Sequence, residues 1–168
     1  MKDFKWLWLL PVAVFPYTIW VVGSMTEAIG RVLPNFSPVV LLLLFWLLGL
    51  AGAGIVLWQS FRGNWEGRKL ALAGMIIKLF HIQNYIVLFF GAIFLFMIPL
   101  VTVMIWVFDV MSITLSGLVG LAAVLRCRVE GRLTNKAAIV NGILQFVFCA
   151  DVISVIWVYR NTKEAFLS

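Results

Sequence analysis

Long apolar runs alternate with short polar or basic stretches along this chain. A helix needs about 20 apolar residues to cross the hydrocarbon core of a bilayer. The pattern predicts five such helices, over residues 6–23, 39–58, 82–98, 100–125 and 137–159. The mixed polar and apolar stretch 69–81 predicts one further helix that lies along the membrane interface. The expected fold is therefore an all-α integral membrane protein, a bundle of about five transmembrane helices in a single domain over residues 1–168.

The first apolar run follows a basic start, which is also the pattern of a secretory signal peptide. It contains Pro11, Pro16 and three tryptophans, however, and it is long for such a segment. We expect a retained helix of the signal-anchor type.

Composition supports the membrane assignment. The chain is 64% hydrophobic and 12% charged, whereas soluble domains average about 45–50% and about 25%. The net charge of +6 comes from short basic clusters between apolar runs, unlike the exposed basic face of a nucleic-acid-binding domain. The lipid bilayer is the expected partner, and no nucleic acid is.

The basic clusters also predict an orientation, because cytoplasmic loops of membrane proteins are enriched in Lys and Arg. Five spans would place nine basic residues on one side and three on the other. The larger group is Lys2, Lys5, Arg62, Arg68, Lys69, Arg126, Arg128, Arg132 and Lys136, and the smaller is Arg31, Arg160 and Lys163. This count predicts the N-terminus inside and the C-terminus outside.

Metal and cofactor chemistry has little support in the sequence. Cys127 and Cys149 are far apart, and His81 is the single histidine. Structural zinc sites need four Cys or His ligands, commonly in closely spaced pairs. We expect no metal, no disulfide and no cofactor.

Two carboxylates, Asp109 and Asp151, lie well inside predicted spans. A charged Asp at the centre of a transmembrane helix costs about 2.5–3.5 kcal/mol. Asp109 precedes Gly131 by 22 residues and Asp151 follows it by 20, so a helical hairpin centred on Gly131 would place both at nearly the same depth. Small or polar residues share the faces of these acids, namely Ser112, Ser116, Gly120, Asn141 and Gln145.

Two interpretations of these polar residues remain open. They could fasten the fourth and fifth spans by hydrogen bonds of about 0.6 kcal/mol each. They could instead line a binding site for an ion or polar solute, since intramembrane ionisable residues are functional candidates. Lys78 and His81 are weaker candidates for an inner mouth, because a lysine near a helix end often extends to the headgroups. Gly49, Ala53 and Gly120 are expected at close helix contacts.

A third interpretation is an intramembrane aspartyl peptidase. Asp109 and the pair Ala150-Asp151 resemble the two aspartates of lipoprotein signal peptidases, which are small multi-span enzymes. The resemblance implies a catalytic pair that shares a proton and activates water. The family has Asn three residues before each Asp and Arg just after the first, where this chain has Trp106, Phe148 and Val110. We therefore disfavour this interpretation.

The last third of the chain has a second resemblance. Residues 117–126 (GLVGLAAVLR) and 145–154 (QFVFCADVIS) resemble small multi-span membrane proteins of Gram-positive bacteria. The resemblance implies a bacterial cytoplasmic membrane and no particular activity. The size and short loops also resemble the membrane subunits that bind substrate in vitamin-uptake ABC systems.

These features together predict a non-enzymatic membrane protein. It is expected to bind or transport a small solute or ion through a polar site between spans four and five. The alternative is a structural or accessory subunit that docks a partner membrane subunit or a second copy of itself.

Overall fold

The computed structural model describes residues 3–32 and 37–164, with side chains for residues 5–27, 30–31 and 37–162. Every regular element within these ranges is helical. The N-terminal segment combines two 3₁₀ turns, Asp3–Leu9 and Phe15–Tyr17, with the helices α1 and α2. The helices are α1 (Leu10–Val14), α2 (Thr18–Val32), α3 (Pro38–Phe61), α4 (Gly67–Phe94), α5 (Pro99–Val129), α6 (Asn135–Leu144) and α7 (Ala150–Glu164).

Four helical stretches are long and apolar enough to cross a membrane, namely Lys5–Glu27, Pro38–Phe61, Gly67–Phe94 and Pro99–Val129. The outer surface of the bundle is apolar: Phe94 is 81% exposed and Met97 is 87% exposed. Soluble monomers rarely expose large contiguous apolar patches. The prediction of an all-helical membrane-embedded bundle is confirmed.

The N-terminal stretch is interrupted where proline falls within it. Pro11 lies at the start of α1 and Pro16 within the second 3₁₀ turn, and proline cannot donate a helical hydrogen bond. The stretch between the first two predicted spans, residues 24–38, is helical as far as Val32. Residues 33–36 lie outside the described part of the chain.

The separate interfacial helix expected over residues 69–81 is not confirmed. These residues belong to α4, which continues without a break to Phe94. Its polar side chains recur every three or four residues and therefore share one face. That face, with Lys78, His81 and Asn84, is buried in the bundle, while apolar side chains such as Ile76 and Phe80 are exposed. The polar face that suggested an interfacial helix therefore points into the bundle.

The fifth predicted span, 137–159, is not confirmed either, because two short antiparallel helices occupy its place. The Ser154 hydroxyl donates a hydrogen bond to Asn141 Oδ1 at 2.8 Å. Thirteen residues of continuous helix would separate these residues by about 20 Å. The chain therefore reverses between α6 and α7, over residues 145–149, where Cys149 has a φ of 64°. We call α6, this turn and α7 the hairpin.

The hairpin lies against α4 and α5. Val155 packs at Gly74, and the rings of Phe148 and Tyr85 lie 5.6 Å apart. At the other end of α7, the ring of Tyr159 lies 5.9 Å from the guanidinium of Arg68. These contacts show that α7 runs antiparallel to α4 and returns to the end of the bundle where α4 begins.

This arrangement collects most basic residues at one end of the bundle, which we call the basic end. Lys5 Nζ donates to the Asn64 carbonyl at 3.0 Å, and the Gly67 N–H donates to Glu130. Residues 5, 64, 130 and 160 thus lie at the same end of the bundle, whereas five spans would have placed residue 160 opposite residue 5. The cause is the chain reversal in the hairpin. Arg31 lies near the far end of α2, and Lys2 lies outside the described residues.

Carboxylates partly neutralise the basic end. Arg126 and Arg132 both pair with Glu130, at 2.9 and 3.0 Å. A hydrogen bond from Lys69 holds the pKa of Glu66 below its ordinary value.

Small residues let the helices approach closely, as expected for membrane bundles. A Cβ built on Gly49 would lie 2.7 Å from a Leu115 methyl, and Ala53 is fully buried. On α5, a Cβ on Gly117 would lie 2.7 Å from the Phe146 ring and 2.9 Å from the Gln145 carbonyl oxygen. Small residues of α3 therefore face α5, and small residues of α5 face the hairpin turn.

The chain reversal predicts the sidedness of the termini. In a background without native cysteine, Arg62→Cys and Arg160→Cys should react with an impermeant thiol reagent from the same side of sealed vesicles. Met97→Cys should react from the opposite side. If residue 160 were labelled together with residue 97, the fifth helix would cross the membrane and the hairpin would be wrong.

The close approach at Gly117 predicts a stability difference between two glycines. Gly117→Ala should lower the free energy of unfolding by about 1–3 kcal/mol, the usual cost of overpacking, because the new methyl meets a backbone carbonyl. Gly91→Ala is the matched control, since Gly91 also lies in a helix and its Cβ would meet no atom within 4 Å. Denaturant unfolding in detergent measures both, and equal stabilities would contradict the packing.

Candidate functional site

An ion pair lies in the centre of the bundle, between α4 and the hairpin. Lys78 Nζ donates to Asp151 Oδ2 at 2.7 Å, and the two side chains are 0% and 2% exposed. The other carboxylate oxygen accepts the Val152 N–H at 2.8 Å. Asp151 also lies in the first turn of α7, where the partial positive charge of the helix N-terminus favours an anion. Both the lysine and the helix end thus stabilise the carboxylate.

A hydrogen-bonded network continues from the ion pair into the hairpin. Lys78 Nζ also donates to the backbone carbonyl of Gln145 at 3.3 Å. The side-chain amide of Gln145 donates to Ser154 Oγ at 2.9 Å, and Ser154 donates to Asn141. We call Lys78, Asp151, Gln145, Ser154 and Asn141 the polar centre, and it connects both arms of the hairpin to α4.

Glycine on α5 provides the room for this network. A Cβ on Gly120 would overlap Gln145 Oε1, so the Gln145 side chain lies directly against the Gly120 backbone. Gln145 is fully buried, and its Oε1 has no hydrogen-bond partner among the described residues. Gly120 therefore lies at a close contact with the hairpin turn.

The remaining polar side chains of α4 face the N-terminal segment. His81 Nε2 lies 3.2 Å from the Ala13 carbonyl oxygen. Trp20 Nε1 donates to Asn84 Oδ1 at 2.9 Å. His81 is thus a buried contact to the N-terminal segment, and Lys78 does not extend toward the headgroups. The structure places neither of them at an exposed mouth.

Asp109 lies apart from the polar centre. The close packing of Gly74 on Gly120 sets Lys78 level with Ser116 on antiparallel α5. Asp109 is seven residues further along, about 10 Å toward the opposite end. The equal depth expected for Asp109 and Asp151 depended on a continuous fifth helix, and the chain reversal removes it.

The predicted serine partners bond within their own helix. Ser112 donates to the Phe108 carbonyl at 3.0 Å and Ser116 to the Ile113 carbonyl at 3.3 Å. Asp109 Oδ1 has no hydrogen-bond partner within the described ranges. The structure thus unites Asp151, Gln145 and Asn141 and leaves Asp109, Ser112 and Ser116 outside the network. It offers no support for a dyad of aspartates.

Two residues of the polar centre were not identified as partners from the sequence. The sequence favours a Lys78 that extends toward the lipid headgroups or lies at an inner mouth, and it gives no indication of a role for Ser154. A signal for Lys78 exists, because oppositely charged residues inside a membrane tend to pair with each other. Ser154 carries no such signal, because only the hairpin turn brings it next to Asn141 and Gln145.

Two grooves approach the polar centre from outside. The first, the hairpin groove, has a volume of about 460 Å³ and extends between the two arms from Thr134 and Lys136 to Asn141 and Ser154. The second, the lateral groove, has a volume of about 330 Å³ and lies between α4 and the hairpin turn, with Asp151 among its lining residues. The polar centre lies between them.

Metal ligands do not cluster in this region. Within the described ranges, no group of three or more His, Cys, Asp or Glu side chains could hold a metal ion. Cys127 is buried and Cys149 is exposed at the hairpin turn, and both are free.

Comparison of the chain with protein-family models, curated proteins and solved structures finds no match.

The buried ion pair predicts strong coupling between its two members. Lys78→Met leaves a buried carboxylate without its partner and should cost about 3–5 kcal/mol of unfolding free energy. Adding Asp151→Leu should recover most of this loss, because apolar replacement of a whole buried pair is often neutral or stabilising.

A double-mutant cycle of unfolding in detergent measures this coupling. Lys69→Met is the matched control, because the Lys69 side chain is 66% exposed in its pair with Glu66. If the losses of unfolding free energy in Lys78→Met and in Asp151→Leu simply add in the double variant, the two charges do not interact.

Proposed function

We propose that this protein binds or transports a small ion or polar solute through the polar centre. The observation that carries the proposal is the fully buried pair of Lys78 and Asp151, held between a membrane-spanning helix and a helical hairpin. Intramembrane ionisable residues of this kind mark ion and substrate pathways.

A contribution to the stability of the bundle does not explain why such a pair is buried. Well-packed apolar residues in its place would stabilise the bundle equally or better. A site that exchanges ions needs charges that can be separated and paired again, and Lys78 and Asp151 provide one cation and one anion. The cost of burying the pair is therefore better explained by a role in binding.

The non-helical turn of the hairpin supports the same proposal. Irregular backbone at membrane depth is tolerated where it is buried in protein or lines a water-filled cavity. Transporters commonly build their binding sites from such interrupted helices near the bilayer midplane. Here the turn carries Gln145, and Asp151 follows directly at the start of α7.

The grooves suggest the route of approach. The hairpin groove leads from Lys136 at the basic end to Asn141 and Ser154. The lateral groove leads from the membrane-facing surface to Asp151. Movement of the hairpin relative to α4 would connect the hairpin groove to the ion pair as well.

The basic residues suggest the orientation of the site. By the positive-inside rule, the basic end would face the cytoplasm, and the hairpin groove would open there. The N-terminus would then be inside, in the cytoplasmic membrane of a bacterium.

Liposome flux experiments test this proposal with protons as the probe ion. Under a potassium diffusion potential, wild-type liposomes should take up protons faster than empty liposomes, as reported by an enclosed pH dye. The double variant Lys78→Met, Asp151→Leu should fall to the rate of empty liposomes while remaining folded, because it lacks both titratable groups. Lys69→Met should retain the wild-type rate.

The opposite result would favour the accessory-subunit alternative. If wild-type and double-variant liposomes take up protons equally, the polar centre has no role in ion movement. The ion pair would then be a structural fastening of the hairpin.

A further inference from the structure

We infer that the lateral groove binds a lipophilic organic cation, in exchange for one proton of Lys78. The inference rests on the proposed function and specifies its ligand class. It depends on the lining of the groove, the position of Asp151 and the charge balance of the polar centre.

The lining of the lateral groove is aromatic and apolar, with one carboxylate. Its principal residues are Tyr85, Phe89, Phe90, Phe148, Cys149 and Asp151. Phe89 and Phe90 are about half exposed on the membrane-facing surface, so a ligand dissolved in the bilayer reaches the groove directly. The volume of about 330 Å³ lies within the usual range of about 300–1,000 Å³ for small-ligand sites.

Charge complementarity selects a cation. Aromatic ring faces carry negative electrostatic potential and attract organic cations, and the Asp151 carboxylate, paired with Lys78 in the free protein, lies at the inner side of the groove. An organic anion would meet the same ring faces and carboxylate unfavourably.

Charge balance requires that a proton leaves when the cation enters. Lys78 and Asp151 together are neutral, so a cation bound at Asp151 would add an uncompensated positive charge to a buried site. Loss of one proton from the Lys78 ammonium restores neutrality: an N–H bond breaks, the electron pair stays on Nζ, and the proton passes to water. The free amine then no longer competes with the ligand for Asp151.

Other titratable groups near Lys78 are less suited to this exchange. His81 lies one turn along α4 and contacts the Ala13 carbonyl, and Tyr85 lies in the next turn. Asp109 on α5 lies about 10 Å further along the bundle. The remaining groups are Tyr17, which donates to the Phe80 carbonyl, and Cys149 at the turn. Among the titratable side chains that the structure describes, only Lys78 contacts Asp151 directly.

Binding of tetraphenylphosphonium to the purified wild-type protein in non-ionic detergent tests the inference. Affinity should increase about tenfold per pH unit while Lys78 is protonated in the free protein, and one proton should be released per cation bound. The ligand should also protect Cys149 from N-ethylmaleimide, because Cys149 lines the groove. Tetraphenylborate, an anion of the same shape, should neither protect Cys149 nor release protons.

Variants assign the effect to the two charges. Asp151→Asn should lose binding, whereas Asp109→Asn should bind like wild type. At alkaline pH, Lys78→Met should still bind tetraphenylphosphonium without releasing a proton, and the cation should raise its melting temperature by pairing with Asp151. The wild-type measurements of proton release and Cys149 protection stand even where a variant does not fold.

Several outcomes separate this inference from the proposed function. Absence of binding, or binding without proton release, overturns the inference. If proton flux in liposomes still depends on Lys78 and Asp151, the proposed function stands without it. Binding with proton release but no flux would support the ligand class and overturn transport.

Discussion

The pairing of Lys78 with Asp151 is the interaction on which the rest of the structure depends. A single charge at this depth would be costly, and each of the two charges satisfies the other at 2.7 Å. The pair joins α7 to α4, and the Gln145 carbonyl joins the turn to the same lysine. The hairpin is thus held by polar contacts inside and by small residues of α5 outside.

The all-helical membrane-embedded architecture could be predicted from the sequence because it depends on the average hydropathy of long segments. Apolar runs of sufficient length identified four membrane-spanning stretches, but they also predicted a fifth, over residues 137–159, where the hairpin lies. Glycine and alanine of α3 and α5 lie at close helix contacts. The face of α4 that carries Lys78 and His81 was assigned to the interface, since hydropathy alone cannot distinguish a polar face turned to headgroups from one turned to a buried partner. Orientation toward a particular side of the membrane, and the function, stay predictions.

The hairpin could not be predicted from the sequence because its turn lacks the usual signals. Residues 145–149 contain neither glycine nor proline, and Cys149 adopts a left-handed backbone at a cost of roughly 1–2 kcal/mol. In a continuous helix, Ser154 would point about 140° away from Asn141. Only the reversal brings Asn141, Gln145, Asp151 and Ser154 together, so tertiary hydrogen bonds outweigh the local preference for an uninterrupted helix.

The return of α7 to the basic end has a consequence for how the protein is assembled in the membrane. Asn135 and Arg160 flank the hairpin at the same end, so neither flank has to cross the hydrocarbon during insertion. Moving an arginine through the bilayer centre would cost at least about 2.5–3.5 kcal/mol, and this step is absent. The hairpin can therefore enter the membrane from one side and pack against α4 at Lys78.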